Sequence, residues 1–190
     1  MNYQEVHIEG TYQKYLAISN YIKKSDKEIN TLLDIGCNSG NLLDYFSFDE
    51  EVNIKTFGIE QNIKYAKENI RIMELNNHNI NFVKKHDAVL LLSVFHQLSN
   101  DKDEAIKLLK KIRKKAKGIF FFQNPSIVNK FKWKVYFKDN NKKDIIDYNM
   151  TFLKKVFPED KINYIGKSEL NNKAEKYRYI FAVQKDQDHD

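Results

Sequence analysis

Cysteine, proline and glycine are scarce in this sequence. Its 190 residues include one cysteine, two prolines and six glycines. The single cysteine, Cys37, excludes an internal disulfide and a cysteine-type zinc site, and it favours a reducing, cytoplasmic compartment. The low proline and glycine content excludes collagen-like chains and Pro/Gly-rich disordered chains. We therefore expect a chain that folds inside the cytoplasm.

Long hydrophobic runs are also absent. The longest apolar stretch, residues 88–95, is far shorter than the roughly 20 residues of a membrane-spanning helix. The first residues are polar and do not resemble a signal peptide. The five histidines show no metal-ligand spacing, so no metal site is predicted. We expect neither a membrane span nor a metal.

The charge balance leaves the partner open. The chain has 32 Lys and Arg against 26 Asp and Glu, a formal net charge of +6, which can attract a polyanion such as RNA. Only three of the basic residues are arginines, however, and arginine is the side chain that binds phosphate through two parallel hydrogen bonds. Charge alone therefore does not decide between a nucleic acid and a small molecule.

Hydrophobic periodicity predicts alternating helices and strands. Helices are predicted at residues 12–24, 41–48, 61–75, from 101 to the glycine at 118, and 142–157. Strands are predicted at 31–35, 53–59, 88–94, 119–122, 162–165 and 177–183. This alternation predicts an α/β fold with a doubly wound, mostly parallel sheet. We expect a helical cap at 1–30, one domain at 31–185, and an acidic tail at 186–190.

The turn after the first strand carries the most informative motif, Asp34-Ile35-Gly36-Cys37-Asn38-Ser39-Gly40. A glycine-containing turn at this place lets a ligand approach the backbone, whose amides favour carboxylates or phosphates. Glu60 follows at the tip of the second strand, where a carboxylate can accept both hydroxyls of a ribose. A nicotinamide dinucleotide site needs three glycines, whereas this turn has two. The motif therefore predicts a different nucleotide-like cofactor.

The set Asp34, Gly36, Gly40 and Glu60 resembles the class I S-adenosylmethionine-dependent methyltransferases, and the resemblance spans residues 32–183. The run from residue 87 to 98, with Ser93-Val94-Phe95-His96, is similar to the fourth-strand motif of that family. The resemblance implies a Rossmann-like sheet with an antiparallel last strand. It also implies that S-adenosylmethionine is the cofactor.

The resemblance assigns a role to each matching position. Asp34, Gly36 and Gly40, with the backbone of Cys37 and Asn38, are expected to hold the methionine part of the cofactor. Glu60 is expected to bind the ribose hydroxyls, and Gln61 to lie along the adenine edge. Ser93 and His96 are expected to border the methyl-transfer cavity.

For two residues, His96 and Asp87, the sequence leaves two roles open. His96 is the first candidate for a general base, but a histidine at the end of a strand is often only a hydrogen-bonding residue. Asp87 is either the acid of the adenine loop or a structural residue that opens the fourth strand.

The third-strand region departs from the family pattern. Residues 80–83 look like that strand, but only residues 84–87 separate them from the next one, and a parallel crossover needs about a dozen. Two interpretations remain. Either residues 79–83 are irregular or merge into the next strand, or they are a vestigial edge strand. Both predict a shortened third-strand region.

The acceptor is less well determined than the cofactor. Phe131, Trp133 and Val135 alternate with lysines in a basic and aromatic flap at residues 130–137. Such a flap can contact a polyanion, or it can be a half-buried strand whose lysines face water. We expect methyl transfer to an oxygen or nitrogen of RNA, a small metabolite or a saccharide. The alternative is a non-catalytic protein of this fold that binds RNA or a partner subunit.

Overall fold

The structure is a computed structural model that describes residues 8–125, 142–170 and 176–185. These ranges contain four α-helices, which are α1 (Ile8–Lys24), α2 (Asn41–Phe48), α3 (Lys102–Arg113) and α4 (Lys142–Val156). They also contain seven strands, which are β1 (Thr31–Ile35), β2 (Lys55–Glu60), β3 (Ile70–Ile72), β4 (His86–Leu92), β5 (Ala116–Gln123), β6 (Asp160–Glu169) and β7 (Tyr177–Lys185). Short 3₁₀ helices cover Ile63–Tyr65, Asn79–Phe82 and Phe95–Gln97.

The strands form one sheet in the order β3-β2-β1-β4-β5-β7-β6. The pairs from β3 to β5 are parallel, whereas β7 is antiparallel to both β5 and β6. The predicted doubly wound, mostly parallel sheet with an antiparallel last strand is therefore confirmed. The chain order reverses at β1, which has β2 on one side and β4 on the other. A crevice opens beyond the carboxyl ends of strands at such a reversal.

Helices cover both faces of the sheet. Side chains of α3 and α4 pack into one apolar cluster, and side chains of α1 and α2 pack into the other. Successive residues of a strand point to opposite faces, so Leu33 and Phe120 join the first cluster while Leu32 and Phe121 join the second. This two-sided burial explains the nearly continuous apolar runs of the central strands.

The prediction of a helix at residues 61–75 is wrong. A short 3₁₀ helix and β3 occupy this segment instead. Ile63 is 78% exposed, whereas Ile70 is buried and lies beside the backbone of Gly58. The two isoleucines have helical spacing in the sequence, but they do not share a face in the fold.

The third-strand region is short, as predicted. β3 has three residues, and only the 3₁₀ helix Ile63–Tyr65, not an α-helix, lies between it and β2. Asn79–Phe82 forms a 3₁₀ helix in which Ile80 is buried. Of the two interpretations of this segment, irregular structure is therefore correct and the vestigial strand is wrong. The connection from β3 to β4 covers residues 73–85 and is long enough for a parallel crossover.

Gly118 does not end a helix, which corrects the expected boundary of α3. The helix ends at Arg113, and Gly118 lies inside β5. A Cβ at this position would stand 3.1 Å from the carbonyl oxygen of Asp87 in the neighbouring strand, where the pairing of β4 with β5 shifts register. The glycine therefore marks a close approach of two strands.

Two of the predicted segments, the flap at 130–137 and the acidic tail at 186–190, lie outside the described residues. Within the ranges that are described, no helix combines the length and the apolar character that a membrane crossing requires.

Candidate functional site

The turn between β1 and α2 has an unusual backbone. Gly36, Asn38 and Gly40 all adopt the left-handed conformation, with φ of 76°, 53° and 80°, a region that favours glycine and tolerates asparagine. A Cβ at Gly36 would also lie 2.5 Å from a methyl group of Val94. The amide of Gly40 donates to the carbonyl of Cys37 at 3.0 Å and closes the turn. The turn therefore leaves its backbone accessible to a ligand at the carboxyl edge of the sheet.

Glu60 ties the end of β2 to this turn. Its Oε2 accepts a hydrogen bond from the backbone N–H of Asn38 at 2.9 Å. Its Oε1 accepts from the backbone N–H groups of Gln61 and Asn62, at 2.9 and 3.0 Å. The carboxylate is thus fixed in one orientation, and Oε2 keeps a lone pair for a further donor.

A cavity of about 1060 Å³ lies at the carboxyl edge of β1, β2 and β4, close to the usual size of a small-molecule site. Most of the predicted site residues meet there. Those that line the cavity are Asp34, Gly36, Cys37, Asn38, Glu60, Gln61, Ser93 and His96. Gly40 does not line it but closes the same turn.

Asp87 lies elsewhere, and the expectation that it reads adenine is wrong. It stands near the start of β4, where its Oδ2 accepts from the hydroxyl of Thr31 at 2.7 Å and from the Thr31 N–H at 2.9 Å. Lys117 pairs with its Oδ1 at 3.0 Å. Thr31 opens β1, and β1 and β4 are parallel, so Asp87 is at the amino edge of the sheet. The structural alternative is therefore correct.

A carboxylate that the sequence does not predict lies beyond β3. Glu74 lines the cavity between Met73 and Leu75. The incorrect prediction of a helix at residues 61–75 is the reason that Glu74 was missed, because that helix would put Glu74 in its last turn. In the structure, Glu74 lies in the loop after a strand. The signal that remains in the sequence is a short apolar run followed by an acid.

The cavity also holds two charges that influence each other. Burial raises the pKa of Asp34 to about 7; Lys14 opposes this rise and Glu60 adds to it. Burial lowers the pKa of Lys14 to about 8, and Arg178 adds to this shift, whereas Asp34 opposes it. The sequence does not predict Lys14 or Arg178, although both line the cavity.

Lys14 leaves one usable signal in the sequence. It precedes Ile18 and Ile22 by four and eight residues, and both isoleucines are buried. Residues with this spacing share one face of a helix, so Lys14 lies on the buried face of α1. Lysine is uncommon on such a face, and here it lines the cavity.

Cys37 is a structural thiol. Burial raises the pKa of its thiol, and the neighbouring Asp34 carboxylate adds to the rise. A Cβ at Gly58 would lie 2.5 Å from its sulfur, so the glycine in β2 leaves room for the cysteine. A neutral, enclosed thiol is a poor nucleophile.

Ser93 directly follows β4 and has a strained conformation, with a φ of 65°. Its N–H donates to the carbonyl of Gln123 at 2.8 Å, and its hydroxyl donates to the side-chain oxygen of Gln123 at 2.8 Å. Gln123 is buried and in turn donates to the hydroxyl of Ser168 at 3.0 Å. These bonds hold the strained residue in place at the cavity wall.

His96 lies in the 3₁₀ helix after β4 and lines the same wall. Its Nε2 is 3.3 Å from the side-chain nitrogen of Gln97. Among the described residues, no group of His, Cys, Asp and Glu side chains has the arrangement of a metal site.

The sheet order and the position of the cavity define a class of fold, the Rossmann-like methyltransferase fold. No family model matches the chain, and no curated protein matches its sequence. Solved structures do match. The plantazolicin methyltransferase BpumL, in complex with a pentazolic desmethylPZN analog and SAH (S-adenosylhomocysteine), aligns with a TM-score of 0.62 and 13% identity, over 96% of this chain and 88% of that one.

Two further structures align over similar lengths. A SAM-dependent methyltransferase from Archaeoglobus fulgidus has a TM-score of 0.54 and 17% identity, over 96% of this chain and 100% of that one. Magnesium protoporphyrin IX methyltransferase from Synechocystis PCC 6803, with bound SAH, has a TM-score of 0.57 and 15% identity, over 97% and 88%. At these identities, the similarity shows a shared fold.

Proposed function

We propose that this chain is an S-adenosylmethionine-dependent methyltransferase. The observation that carries the proposal is the Glu60 carboxylate, held by three backbone amides beside a left-handed glycine turn. This arrangement offers hydrogen-bond acceptors to a ribose and exposed backbone to the rest of a nucleoside. Neighbours of the same fold bind SAH, which supports the same type of ligand here.

The cavity residues fit the two ends of such a cofactor. At the nucleoside end, Glu60 accepts from the ribose hydroxyls, and Gln61 lies along the base. Glu74, between the apolar side chains of Met73 and Leu75, can accept from the exocyclic amine of adenine. At the methionine end, Asp34 and the turn from Gly36 to Gly40 hold the amino-acid group. Glu74 thus takes the role that the sequence offered to Asp87.

Once bound, the cofactor supplies an activated methyl group. The chain's own residues then position an acceptor beside Ser93 and His96 and keep water out with the apolar side chains of Leu92 and Val94, which line the same wall. Positioning in a water-poor site accounts for much of a transfer of this kind. Where the oxygen or nitrogen acceptor must lose a proton, the ring nitrogen of His96 accepts it.

The acceptor we propose is a small molecule, such as a metabolite or a saccharide unit, rather than a folded RNA. The N-terminal part of α1 and the end of β6 form one wall of the cavity, through Gly10, Thr11, Glu169 and Leu170. This wall limits the space beside the methionine end. Contact of the basic and aromatic flap at 130–137 with an RNA stays a prediction.

The second candidate is a non-catalytic protein of the same fold. The three-residue β3, joined to β2 without an α-helix, favours this candidate, because it reduces the support under the adenine end. The alternative predicts RNA or subunit binding that does not depend on Glu60.

Calorimetric titration with S-adenosylhomocysteine tests the proposal. We expect binding to the native chain, and roughly 10-fold or greater weakening in Glu60→Gln, because charge-assisted hydrogen bonds to the ribose are lost. Glu68→Gln is the matched control, since Glu68 is exposed and does not line the cavity. Absence of binding to well-folded native protein contradicts the proposal.

A second assay separates the two candidates. Labelled S-adenosylmethionine is incubated with a small-metabolite extract and, separately, with total RNA. Transfer of label to metabolites supports the proposed small-molecule acceptor. Transfer of label to RNA instead identifies RNA as the acceptor. Cofactor binding without label in either fraction favours the non-catalytic candidate.

A further inference from the structure

Gln123 lies directly behind the cavity wall that Ser93 forms. It is the last residue of β5, between β4 on one side and β7 on the other, and its side chain is fully buried. Its Nε2 donates to the hydroxyl of Ser168 at 3.0 Å and to the backbone carbonyl of Arg178 at 3.4 Å. Its Oε1 accepts from the hydroxyl of Ser93 at 2.8 Å. The side chain thus connects the β6–β7 pair to the end of β4.

The carbonyl of Arg178 fixes the orientation of the Gln123 amide. A backbone carbonyl only accepts hydrogen bonds, so the nitrogen of the amide has to face it. The opposite orientation would put two acceptor oxygens against each other in a buried position, which is unfavourable. The amide oxygen is therefore the atom that faces Ser93.

This orientation decides how Ser93 can bind a ligand. An amide oxygen is only an acceptor, so the one hydroxyl hydrogen of Ser93 is used by Gln123. The N–H of Ser93 is used as well, by the carbonyl of Gln123. The Oγ of Ser93 keeps lone pairs, and it lines the cavity between the apolar side chains of Leu92 and Val94. Ser93 can therefore accept a hydrogen bond from a ligand but cannot donate one.

We infer that Gln123 is a positioning residue that makes Ser93 a hydrogen-bond acceptor only, and that the methyl-accepting substrate presents an N–H or O–H group to Ser93. This inference deepens the proposed function and rests on it for the reaction. The substrate class is hydroxyl compounds and amines that carry a hydrogen on the reacting atom. The hydrogen bond uses that hydrogen and leaves a lone pair of the same atom for the methyl group. A carboxylate, an ether or a neutral tertiary amine offers Ser93 only lone pairs and is disfavoured.

Matched pairs of uncharged probes test this preference. Benzyl alcohol and aniline each carry a donor, whereas benzyl methyl ether and N,N-dimethylaniline carry none. Their affinities are measured by ligand-observed NMR, with the free protein and with the protein saturated with S-adenosylhomocysteine. We expect roughly 10-fold tighter binding of the donor probe in each pair, because a probe without a donor leaves the Ser93 oxygen unpaired.

Substitutions of Gln123 and Ser93 locate the preference. Gln123→Met removes the oxygen that holds the Ser93 hydroxyl, so the hydroxyl can turn towards the cavity and donate. The preference should then fall to about twofold or less, chiefly because the probe without a donor binds more tightly. Gln123→Glu keeps an oxygen beside Ser93, and burial keeps its carboxyl neutral, so the preference should persist. Ser93→Ala should abolish it.

Gln184→Met is the matched control. Gln184 lies near the end of β7 and pairs with Ile119 at the amino edge of the sheet, outside the cavity lining, so this variant should keep the native preference. Thermal melting confirms that each variant is folded, and the ratio of the two affinities is taken within each variant. A merely structural role of Gln123 would lower both affinities and leave their ratio unchanged.

The chemistry of the transferred label tests the substrate class. Labelled S-adenosylmethionine and the small-metabolite extract are incubated with the native protein, and the products are treated with mild alkali. Methyl esters of carboxylates release labelled methanol, whereas N-methyl compounds and methyl ethers do not. Label that is stable to alkali supports the inference, and label that is mostly released overturns it.

The probe titrations can also overturn the inference. They do so if the native protein binds both probes of each pair equally or binds neither, or if Gln123→Met or Ser93→Ala keeps the native ratio. Absence of S-adenosylhomocysteine binding to the native protein contradicts the proposed function instead. The ratios measured with the free protein then decide the roles of Gln123 and Ser93 separately.

Discussion

Two aspartates at opposite ends of the central strands experience contrasting environments. Asp87, at the amino edge, accepts hydrogen bonds from Thr31 and Lys117. Burial favours its neutral form, but these bonds outweigh it, and the pKa of Asp87 lies below its ordinary value. Asp34, at the carboxyl edge, has no comparable donors among residues 8–125, 142–170 and 176–185, and burial raises its pKa to about 7. The protein thus supplies hydrogen-bond donors to Asp87, whereas the unsatisfied Asp34 carboxylate supports the ligand site that we propose.

The same contrast extends to the rest of the two edges. At the amino edge, Arg113 makes two hydrogen bonds to the carboxylate of Asp160, at 3.0 and 2.9 Å. At the carboxyl edge, Asn38 and Ser93 have left-handed backbones and line the cavity, whereas Asn53, near the amino edge, has a positive φ but is exposed. Strain and unsatisfied charge persist only where the surrounding structure enforces them, and they cluster at functional sites. The amino edge therefore contributes ion pairs that stabilise the fold, whereas these features of the carboxyl edge support the binding site that we propose there.

The largest effect on stability is expected from Arg113→Met. Both partners of the Arg113–Asp160 pair are nearly enclosed, and removal of one partner leaves a buried charge unpaired. The free energy of unfolding should fall by about 3–5 kcal/mol, measured by urea denaturation. Binding of S-adenosylhomocysteine to the folded variant should not change. Lys107→Met is the control, because its pair with Glu104 is exposed and should contribute less than about 1 kcal/mol.

The matched substitutions Asp87→Asn and Asp34→Asn test the comparison directly. Asp87→Asn should lower the free energy of unfolding by about 1–3 kcal/mol, because it weakens hydrogen bonds to a charged acceptor, and it should leave cofactor affinity intact. Asp34→Asn should not destabilise the free protein, because it removes a poorly solvated charge. It should weaken S-adenosylhomocysteine binding roughly 10-fold or more. The reverse pattern in denaturation and calorimetry would contradict the division between the two edges.

The affinity for S-adenosylhomocysteine should be greatest between about pH 7 and 8. Asp34 loses its proton near pH 7 and Lys14 loses its proton near pH 8, with Glu60 and Arg178 as the other charges that act on them. Below this range a neutral Asp34 no longer attracts the ligand's ammonium, and above it a neutral Lys14 no longer attracts the carboxylate. Each limb approaches a tenfold change per pH unit, measurable by calorimetry.

The stability of the free protein depends on the ionisation of Asp34 in the opposite direction to the affinity. A carboxyl whose pKa is raised by folding binds its proton more tightly in the folded state, so lowering the pH through about 7 stabilises the free protein with respect to Asp34. Asp34→Asn is the control and should lose the acid limb of both curves. If the acid limb persists in this variant, the titration of a group other than Asp34 causes it.

The sequence predicts those parts of the fold and site that depend on local pattern. The continuous apolar runs of β4 and β5 reflect burial on both faces, so strands were predictable there. The turn from Gly36 to Gly40 and the acid at Glu60 have a fixed spacing along the chain, and the structure brings them together. The antiparallel last strand followed from the resemblance to the methyltransferases rather than from periodicity.

The failures depend on contacts between distant segments. Ile70 is buried because Gly58 leaves room for it in the next strand, and no local pattern separates this cause from an amphipathic helix. Asp87 was ambiguous because its partner Thr31 is 56 residues away. The place of Lys14 in the cavity wall depends on the packing of α1 against β6, a contact that periodicity within one helix does not report.

The smallest expected effect concerns strain in the turn, tested by Asn38→Gly. Asn38 has a positive φ, and its side-chain oxygen is buried without a hydrogen bond in the described part of the chain. Glycine removes both penalties but adds flexibility to the unfolded chain, so the free energy of unfolding should rise by at most about 1 kcal/mol. Affinity for S-adenosylhomocysteine should fall a few-fold, roughly threefold, because the turn is less preorganised.

Asn53→Gly separates the two contributions to that effect. Asn53 also has a positive φ, of 45°, but it is exposed and distant from the cavity lining. Its replacement therefore measures the backbone contribution alone, which should stay within about 0.5 kcal/mol. The difference between the two variants in thermal melting isolates the buried oxygen of Asn38. If Asn38→Gly instead destabilises the protein while affinity is unchanged, the turn stabilises the fold and does not contribute to binding. The contrast between the two edges then applies to Asp34 but not to the turn.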